Sequence, residues 1–246
     1  MYSDVDIRKH LGKHIGIFPL KDDNIQGSCV LLTASNLAWS VNSCASCVSK
    51  GKIKIAAHDT VIVLTDEVVY LGKKFAGYCM VRVSMLPRGI ASICTPVKPG
   101  WIGHLFITLH NVSNRDYELE VFGGLVVMTI HRLNSSCKRG DPRVNSRTDQ
   151  LSGMGIQLNQ NELDFINKEW ANDNKRLFDK MTESDEYKLI KKRLWKAPRF
   201  VFSVLFKIIA VIICGVLMYL YHDSNMAGVV VGILITATLG PLILRE

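Results

Sequence analysis

The sequence lacks a second pair of metal ligands, an apolar segment at its start and a broad basic surface. Its seven cysteines are odd in number and scattered along 246 residues. Cys44 and Cys47 form one CxxC, and a zinc site would need a further Cys or His pair at ligand spacing. Residues 1–6 are polar and acidic, so we expect no secretory segment and a reducing compartment. We therefore predict no metal site and no redox role for this pair.

Positive charge is concentrated towards the C-terminus. The formal net charge is +8, and residues 188–246 contain eight Lys or Arg against only Asp223 and Glu246. That segment supplies six of the net charges, so the rest of the chain is almost balanced. A composition of 48% apolar and 21% charged residues also excludes a disordered or collagen-like chain. The charge distribution argues against a nucleic-acid polymer as partner.

Two long apolar runs predict a transmembrane helical hairpin over 200–246. Residues 200–221 are interrupted only by Ser203, Lys207 and Gly215, and residues 226–244 contain no charge. At about 1.5 Å per residue, a helix over the first run is about 33 Å long, enough to cross a bilayer core of about 30 Å. Six basic residues in 188–199 precede the first run. The positive-inside rule therefore predicts a multi-pass inner (cytoplasmic) membrane protein with its N-terminal domain and C-terminus cytoplasmic, in contact with lipid.

Two features of the predicted hairpin have alternative interpretations. Every fourth residue of the second run is small, at Gly228, Gly232, Thr236 and Gly240. This strip indicates close helix packing, although glycine is also common in membrane helices in general. Lys207 lies about one and a half turns into the first run, where we favour snorkelling to the headgroups over a pore-lining or ligand-sensing role.

The segment 158–199 is predicted to be an amphipathic helical linker. Asn159 and Glu162 have the spacing of a capping box. Apolar residues follow at helical intervals, at Leu163, Ile166, Trp170, Leu177 and Met181. A second helix is predicted to start at Thr182 or Ser184. The sequence does not decide whether this stalk packs on its own domain, on neighbouring copies or on lipid.

Residues 1–157 are predicted to form a mainly β domain. Short runs rich in Val, Ile, Thr and Tyr alternate with Gly, Pro, Asn and Asp. The predicted strands are 29–32, 53–56, 60–64, 77–84, 105–109, 117–121 and 125–132. A short helix is expected at 3–11. This spacing of strands is typical of a sandwich or a jelly-roll-like barrel.

The order of motifs within residues 25–133 resembles the dCTP deaminase and dUTPase superfamily. The most specific elements are Thr65-Asp66-Glu67 and Lys98-Pro99-Gly100-Trp101-Ile102-Gly103. Val83-Ser84-Met85-Leu86-Pro87-Arg88 stands between them, and Phe122-Gly123-Gly124 follows. The resemblance implies a dUTPase-like distorted β-barrel that assembles as a homotrimer with nucleotide sites between subunits.

The resemblance also implies a set of nucleotide-binding residues. Where the family has Arg-Ser-Ser-Leu-x-Arg, this chain keeps one hydroxyl and one guanidinium, and a guanidinium suits phosphate because it binds two oxygens at once. The implied ligand is a triphosphate or another nucleotide, and a nucleoside triphosphate would be the one to bring Mg²⁺ with it. The candidate binding residues are Ser84, Arg88, Lys98, Gly100, Trp101 and Gly103.

The acidic residues of the family are missing from the corresponding positions. Lys98 replaces the Asp of the Asp-Pro-Gly element, and Thr108 replaces the glutamate of the deaminases. Leu31 and Met128 replace an early Asp and a late Gln. General acid-base catalysis contributes about 10² to 10⁴-fold in rate, so we predict that the chemistry is lost.

Two residues are candidates for a substitute catalytic group. His104 and Thr108 share one face of a regular strand with His110, which would place a histidine near the base pocket. The alternative is that these histidines lie at the surface or at a subunit interface. Arg88 and Lys98 have a similar alternative, in which they bridge subunits or face solvent.

Three functions follow from these expectations. The leading hypothesis is a membrane-anchored, catalytically inactive nucleotide sensor coupled to a transmembrane effector, by analogy in bacterial antiphage defence. The second is an active membrane-tethered dCTP deaminase or dUTPase in pyrimidine deoxynucleotide metabolism. The third is a membrane scaffold with a vestigial pocket.

Overall fold

The computed structural model describes residues 1–138 and 148–194. The chain divides into two units, Met1–Lys191 and Lys192–Glu246, and the fold below is that of the first. The predicted hairpin over 200–246, with Lys207, Gly228, Gly232 and Gly240, lies outside the described residues. None of the helices within 1–138 and 148–194 has both the length and the hydropathy that a bilayer crossing requires.

The first unit is mainly β, as predicted, with helices at both ends. The strands are β1 Ile15–Phe18, β2 Ile25–Gln26, β3 Cys29–Ser40, β4 Ala45–Ser46, β5 Val48–Ser49, β6 Lys52–Ile55, β7 Thr60–Leu71, β8 Phe75–Val81, β9 Ile90–Ala91, β10 Thr95–Val97, β11 Ile102–Asn111, β12 Tyr117–Glu120 and β13 Gly124–Arg132. The α-helices are α1 Asp4–His10, α2 Thr148–Gly153, α3 Gln160–Ile166 and α4 Asn174–Glu183. Short 3-10 helices lie at Asp22–Asn24, Val83–Arg88 and Glu169–Ala171, and residues 185–194 are helical.

One large sheet curls around the core because its longest strands change partners. The order is β10-β8-β13-β3-β7-β11-β9, with β1, β2 and β4 added at its sides, and β12-β6-β5 form a separate small sheet. β3 pairs with β13 through its first half and with β7 through its second, and its register with β7 shifts between Ala34 and Ala38. The sheet bends where β3 passes from one partner to the other.

Alternation along β11 distinguishes the inner face of the sheet from its outer face. Leu105, Ile107 and Leu109 are buried in the core, whereas Phe106 and Thr108 are half-buried on the opposite face. Because successive strand residues point to opposite faces, this pattern places a second layer over the outer face.

That second layer combines the end of the predicted domain, from Leu151 to Ile156, with the first part of the segment predicted to be a linker. Trp39 and Leu64 on the sheet pack in one cluster with Leu151, Ile156 and Ile166. The capping box predicted at Asn159 and Glu162 is present at the start of α3. Glu162 Oε1 also accepts a 3.1 Å hydrogen bond from Trp39 Nε1, so the same carboxylate caps the helix and attaches it to the sheet.

α4 covers β1 and the second half of β7. Leu177 and Met181 are fully buried, and Phe178 meets Tyr70 edge-on at 5.4 Å between ring centroids. A Cβ on Gly16 would lie 2.8 Å from Leu177 Cδ2, so glycine lets this helix approach the strand.

The continuous amphipathic helix predicted from Asn159 to Met181 is wrong, because the segment is broken into α3, a 3-10 turn and α4. Asn167 is the C-cap of α3. The Asp173 side chain caps the start of α4 by accepting hydrogen bonds from the amides of Lys175 and Arg176. Asn and Asp favour helix ends over helix interiors because their side chains compete for backbone hydrogen bonds. The predicted restart at Ser184 agrees with the structure, since residues 185–194 are helical.

The described part of the linker packs on its own domain as far as Lys191. Ile190 is fully buried, and Lys191 Nζ donates to the carbonyl oxygens of Arg8 (3.0 Å) and Leu11 (2.8 Å). The sequence left its own domain, neighbouring copies and lipid open as packing surfaces, and this segment packs on its own domain.

Candidate functional site

Ser84 and Arg88 lie on the 3-10 turn Val83–Arg88. Met85 is buried at 2% exposure and anchors the turn, which leaves Ser84 and Arg88 exposed. Gly89 ends it at φ +80°, and a Cβ there would lie 2.6 Å from Ser113 Cβ. Glycine therefore satisfies both the left-handed backbone and the close approach to the neighbouring loop. The Arg88 guanidinium lies 6.0 Å from the centroid of the Tyr117 ring.

The turn is attached to the C-terminal end of β11. Ile90 pairs with Asn111 and Ala91 with His110, and the Val112 amide donates to Gly89 O at 2.8 Å. Ser84 and Arg88 thus form one half-site, which we call the arginine half-site.

Lys98, Gly100, Trp101 and Gly103 form a second half-site at the other end of β11, which we call the lysine half-site. Gly100 has φ +81° and donates its amide to Leu71 O at 2.7 Å, and the Trp101 amide donates to Lys98 O at 3.1 Å. Trp101 is 9% exposed, and its Nε1 donates to Gly103 O at 3.3 Å. These two amides are bonded within the chain, and the Lys98 side chain is exposed.

The two half-sites are too far apart to form one site within a single copy. They flank a ten-residue strand, β11, and at about 3.3 Å per residue this strand is about 30 Å long. A site that uses both must therefore take each from a different copy of the chain.

The catalytic candidates Thr108 and His104 lie towards opposite ends of the same strand. Thr108 is half-buried on the side of the arginine half-site, beside His110, whose Nδ1 is 2.9 Å from Thr60 Oγ1. His104 lies next to Gly103. The strand is not regular between them, because the register with β7 shifts between His104 and Phe106. Phe165 of α3 stacks on the His104 ring at 5.1 Å between ring centroids.

His104 is enclosed by its surroundings. It is 1% exposed, and its Nδ1–H donates to Thr65 O at 2.9 Å. Its buried Nε2 has no hydrogen-bond partner within the described residues. Burial lowers the pKa of His104 to about 4, so the ring is neutral at pH 7 and weakly basic. This arrangement gives His104 no open face towards a ligand of the same copy.

Glu67, in the Thr65-Asp66-Glu67 element, carries a buried carboxyl group that the candidate site residues do not include. Glu67 is 2% exposed and accepts bonds of 2.8 Å from the amide and from the hydroxyl of Thr33. Burial raises the pKa of Glu67 to about 7, against the lowering effect of the Thr33 bonds. The signal was an acidic residue inside a run of Val, Ile and Leu. Glu67 closes the corner of the sheet, where the register of β3 with β7 shifts.

The candidate residues do not provide a protein-bound Mg²⁺ site. Within residues 1–138 and 148–194 there is no group of three or more His, Cys, Asp or Glu placed to hold a metal ion. Mg²⁺ prefers carboxylate and phosphate oxygens, and the six candidate binding residues include no carboxylate.

Comparisons with known proteins point to one superfamily. No family profile matches the chain. The dCTP deaminase of Pyrococcus horikoshii is 29% identical over 121 residues, which cover 49% of this chain and 78% of that protein. Among solved structures, the 2'-deoxycytidine 5'-triphosphate deaminase from Agrobacterium tumefaciens has 14% identity and a TM-score of 0.42 and covers 52% of this chain and 46% of its own. The native EIAV dUTPase has 15% identity and a TM-score of 0.39, with 51% and 93% covered.

Proposed function

We propose that the chain, which is similar to dCTP deaminases, is a member of the dCTP deaminase and dUTPase superfamily that binds a nucleotide between copies of itself without converting it. A homotrimer in which each site combines the arginine half-site of one copy with the lysine half-site of the next would bring the two together. The observation that carries this proposal is the separation of the half-sites along β11.

Loss of catalysis is supported by the charges at the half-sites. Lys98 places a cation and Thr108 a neutral hydroxyl at positions where the resemblance predicts carboxylates. The acidic residues on each side of Tyr117, the contact of Arg88, are engaged elsewhere: Asp116 pairs with Lys54 at 2.8 Å and Glu118 with Lys52 at 2.6 Å. The Lys54 hydrogen bond lowers the pKa of Asp116, so it stays ionised and is a poor proton donor at neutral pH.

Anion binding is the property that the half-sites retain. Arg88 can bind two phosphate oxygens through its planar fork, and Ser84 can donate one further hydrogen bond. Lys98 adds a cation at the facing half-site. A nucleoside di- or triphosphate fits this combination better than an uncharged nucleoside, because both half-sites contribute positive charge.

The test uses the full chain purified in a neutral detergent. We expect dCTP or dUTP to raise the melting temperature and to bind in calorimetry, with no product by chromatography. Arg88→Ala should weaken binding at least about tenfold, because a charged hydrogen bond to phosphate contributes about 1.5–3 kcal/mol. Arg176→Ala on the exposed face of α4 is the matched control and should bind as the wild type does.

Two other results would support the competing functions. Product formation that Thr108→Ala or His104→Ala abolishes would identify an active dCTP deaminase or dUTPase and would contradict our proposal. If no nucleotide shifts the melting temperature, the scaffold hypothesis gains support, since binding to the native state must stabilise it.

We further propose that the nucleotide controls a membrane effector formed by residues 200–246, in antiphage defence. Support comes from the linker, which packs on the β-domain as far as Lys191. The linker thereby connects the β-domain to the segment that precedes the predicted spans. A ligand that favours one packing of the copies would shift that segment.

The effector proposal is tested in living bacteria. We expect the intact protein to sediment with membranes, and we expect cells to depolarise when its ligand accumulates during phage infection. Arg88→Ala should reduce this response. Cells that stay polarised under infection and under every nucleotide perturbation would contradict the effector role while leaving nucleotide binding intact.

A further inference from the structure

A pocket lined by basic residues lies at the turn between β7 and β8. It has a volume of about 360 Å³, and its lining residues are His10, His14, Gly72, Lys73, Lys74, Phe75 and Arg132. We propose that this pocket is a binding site for a phosphate group, separate from the candidate nucleotide site. It contains none of the six candidate nucleotide residues.

Backbone hydrogen bonds hold the lysines at the rim. The Gly72 amide donates to His14 O at 2.8 Å, and the Phe75 amide donates to Gly72 O at 2.9 Å. Lys73 and Lys74 occupy the tip of this turn and are exposed. Lys73 O accepts a hydrogen bond from the Cys137 amide, and Lys74 O accepts one from the Leu133 amide, each at 2.8 Å. The backbone of the turn that carries Lys73 and Lys74 is therefore anchored on both sides.

Aromatic rings form the floor of the pocket. Phe75 is 4% exposed, and the His14 ring stacks on it at 5.6 Å between ring centroids with an interplanar angle of 21°. His10 contacts the same ring at 5.5 Å and is fixed by a 2.9 Å bond between its Nδ1 and Asp6 O. The floor is thus built from packed side chains.

The pocket carries positive charge that the described residues do not neutralise. Arg8, by contrast, is paired with Asp4 and Asp22. Within residues 1–138 and 148–194, no acidic side chain forms an ion pair with Lys73, Lys74 or Arg132. Asp6, the nearest acidic residue along α1, accepts a hydrogen bond from the Ser3 hydroxyl instead. Like charges held together raise the local potential, and a bound anion relieves it.

The position of the pocket indicates two sources for the phosphate. The loop that carries His14 begins at Leu11, whose carbonyl oxygen accepts Lys191, and Lys191 is near the start of the basic run that precedes the predicted spans. An anionic lipid headgroup and a soluble phosphate compound are both phosphate esters or anhydrides, and the lining residues would bind either through the same charges.

The experiment measures binding of defined probes to the full chain in dodecyl maltoside. The probes are dioctanoyl phosphatidylglycerol, inorganic pyrophosphate and, as a headgroup without net charge, dioctanoyl phosphatidylcholine. We expect saturable binding of at least one of the first two, with little of the third. Each lysine near a phosphate surface contributes about a fivefold factor, so Lys73→Gln with Lys74→Gln should weaken binding tenfold or more. Lys175→Gln with Lys180→Gln on α4 removes the same charge and should leave binding unchanged.

The arms distinguish the source and the site. Binding of phosphatidylglycerol alone identifies a lipid headgroup, binding of pyrophosphate alone a soluble ligand, and both support the phosphate site. The proposal is overturned if neither probe saturates, if the control pair weakens binding equally, or if the pocket pair has no effect. It is also overturned if Lys98→Ala abolishes binding to the same extent, because the probe would then occupy the lysine half-site. Nucleotide binding in the pocket variant reports separately on the function proposed above.

Discussion

At the scale of single residues, Glu67 and His104 have opposite effects on how stability depends on pH. Burial raises the pKa of Glu67 from 4.5 to about 7 and lowers that of His104 from 6.5 to about 4. As pH rises through 4.5–7, the unfolded chain releases the Glu67 proton that the folded chain keeps, so stability falls. As pH falls from 6.5 towards 4, the unfolded chain binds a proton at His104 that the folded chain excludes, so stability also falls.

We therefore predict that single variants reveal slopes that partly cancel in the wild type. Glu67→Gln removes the term that falls with pH, so its free energy of unfolding should rise more steeply than that of the wild type between pH 4.5 and 6.5. The slopes should differ by up to about 1.4 kcal/mol per pH unit. Urea unfolding followed by tryptophan fluorescence at several pH values measures this. A slope equal to that of the wild type would mean that Glu67 is ionised in the folded chain.

At the scale of elements, α3 depends on one carboxylate. Glu162 accepts the Asn159 amide at 2.8 Å as half of the capping box and accepts Trp39 Nε1 at 3.1 Å. Glu162→Ala should lower the free energy of unfolding by about 1–2 kcal/mol through both losses. Glu162→Gln keeps one acceptor oxygen, so its free energy of unfolding should lie between those of the wild type and of Glu162→Ala. Glu186→Ala, an exposed residue of the 185–194 helix, should have little effect. An equal loss in Glu186→Ala would show that helix charge, and not the two bonds, is responsible.

The attachment of α4 gives a second prediction at this scale. Leu177 is fully buried beside Gly16, so Leu177→Ala should cost about 2–5 kcal/mol of unfolding free energy. Leu189→Ala makes the same change at a side chain that is 46% exposed and should cost at most about 0.5 kcal/mol. If thermal unfolding of Leu177→Ala matches that of the wild type, α4 does not stabilise the β-domain.

The sequence predicted the elements better than their extent. All seven predicted strands overlap observed strands, because runs of Val and Ile between turn residues are a local signal. The prediction for 77–84 runs past the end of β8 at Val81 into the 3-10 turn. β7 continues past Leu64 to Leu71, and the polar Thr65-Asp66-Glu67 hid this continuation. These residues remain in the strand because Thr33 and His104, distant in sequence, provide their partners. Composition does not contain such tertiary pairings. The break of the linker helix, by contrast, has a local signal, since Asn167 and Asp173 cap the helices on its two sides.

The candidate site was predicted as a set of residues but not as an arrangement. Motif resemblance selected Ser84, Arg88 and Lys98 without reference to distance. The pairing of β9 with the end of β11, and of the Gly100 turn with Leu71, separates them along one strand. Only the order of the strands in the sheet contains this information.

At the scale of the whole molecule, the separated half-sites make binding a property of the assembly. If each site takes Arg88 from one copy and Lys98 from the next, oligomers made only of Arg88→Ala or only of Lys98→Ala have every site damaged. Mixing the two chains before assembly leaves some sites with both residues intact. Every closed trimer that contains both chains has one junction with both residues intact, so about a third of the sites in mixed trimers are restored.

We predict this recovery for co-expressed chains with different affinity tags, purified through both tags. Native mass spectrometry should show mixed trimers that retain nucleotide, whereas each parental variant retains little. Calorimetry should give a reduced number of sites with the affinity of the wild type, because the restored sites are chemically complete. Mixed oligomers that bind no better than the parents would mean that Arg88 and Lys98 of neighbouring copies do not meet. The separation along β11 would then divide two independent surfaces, and the nucleotide site would use only one of them.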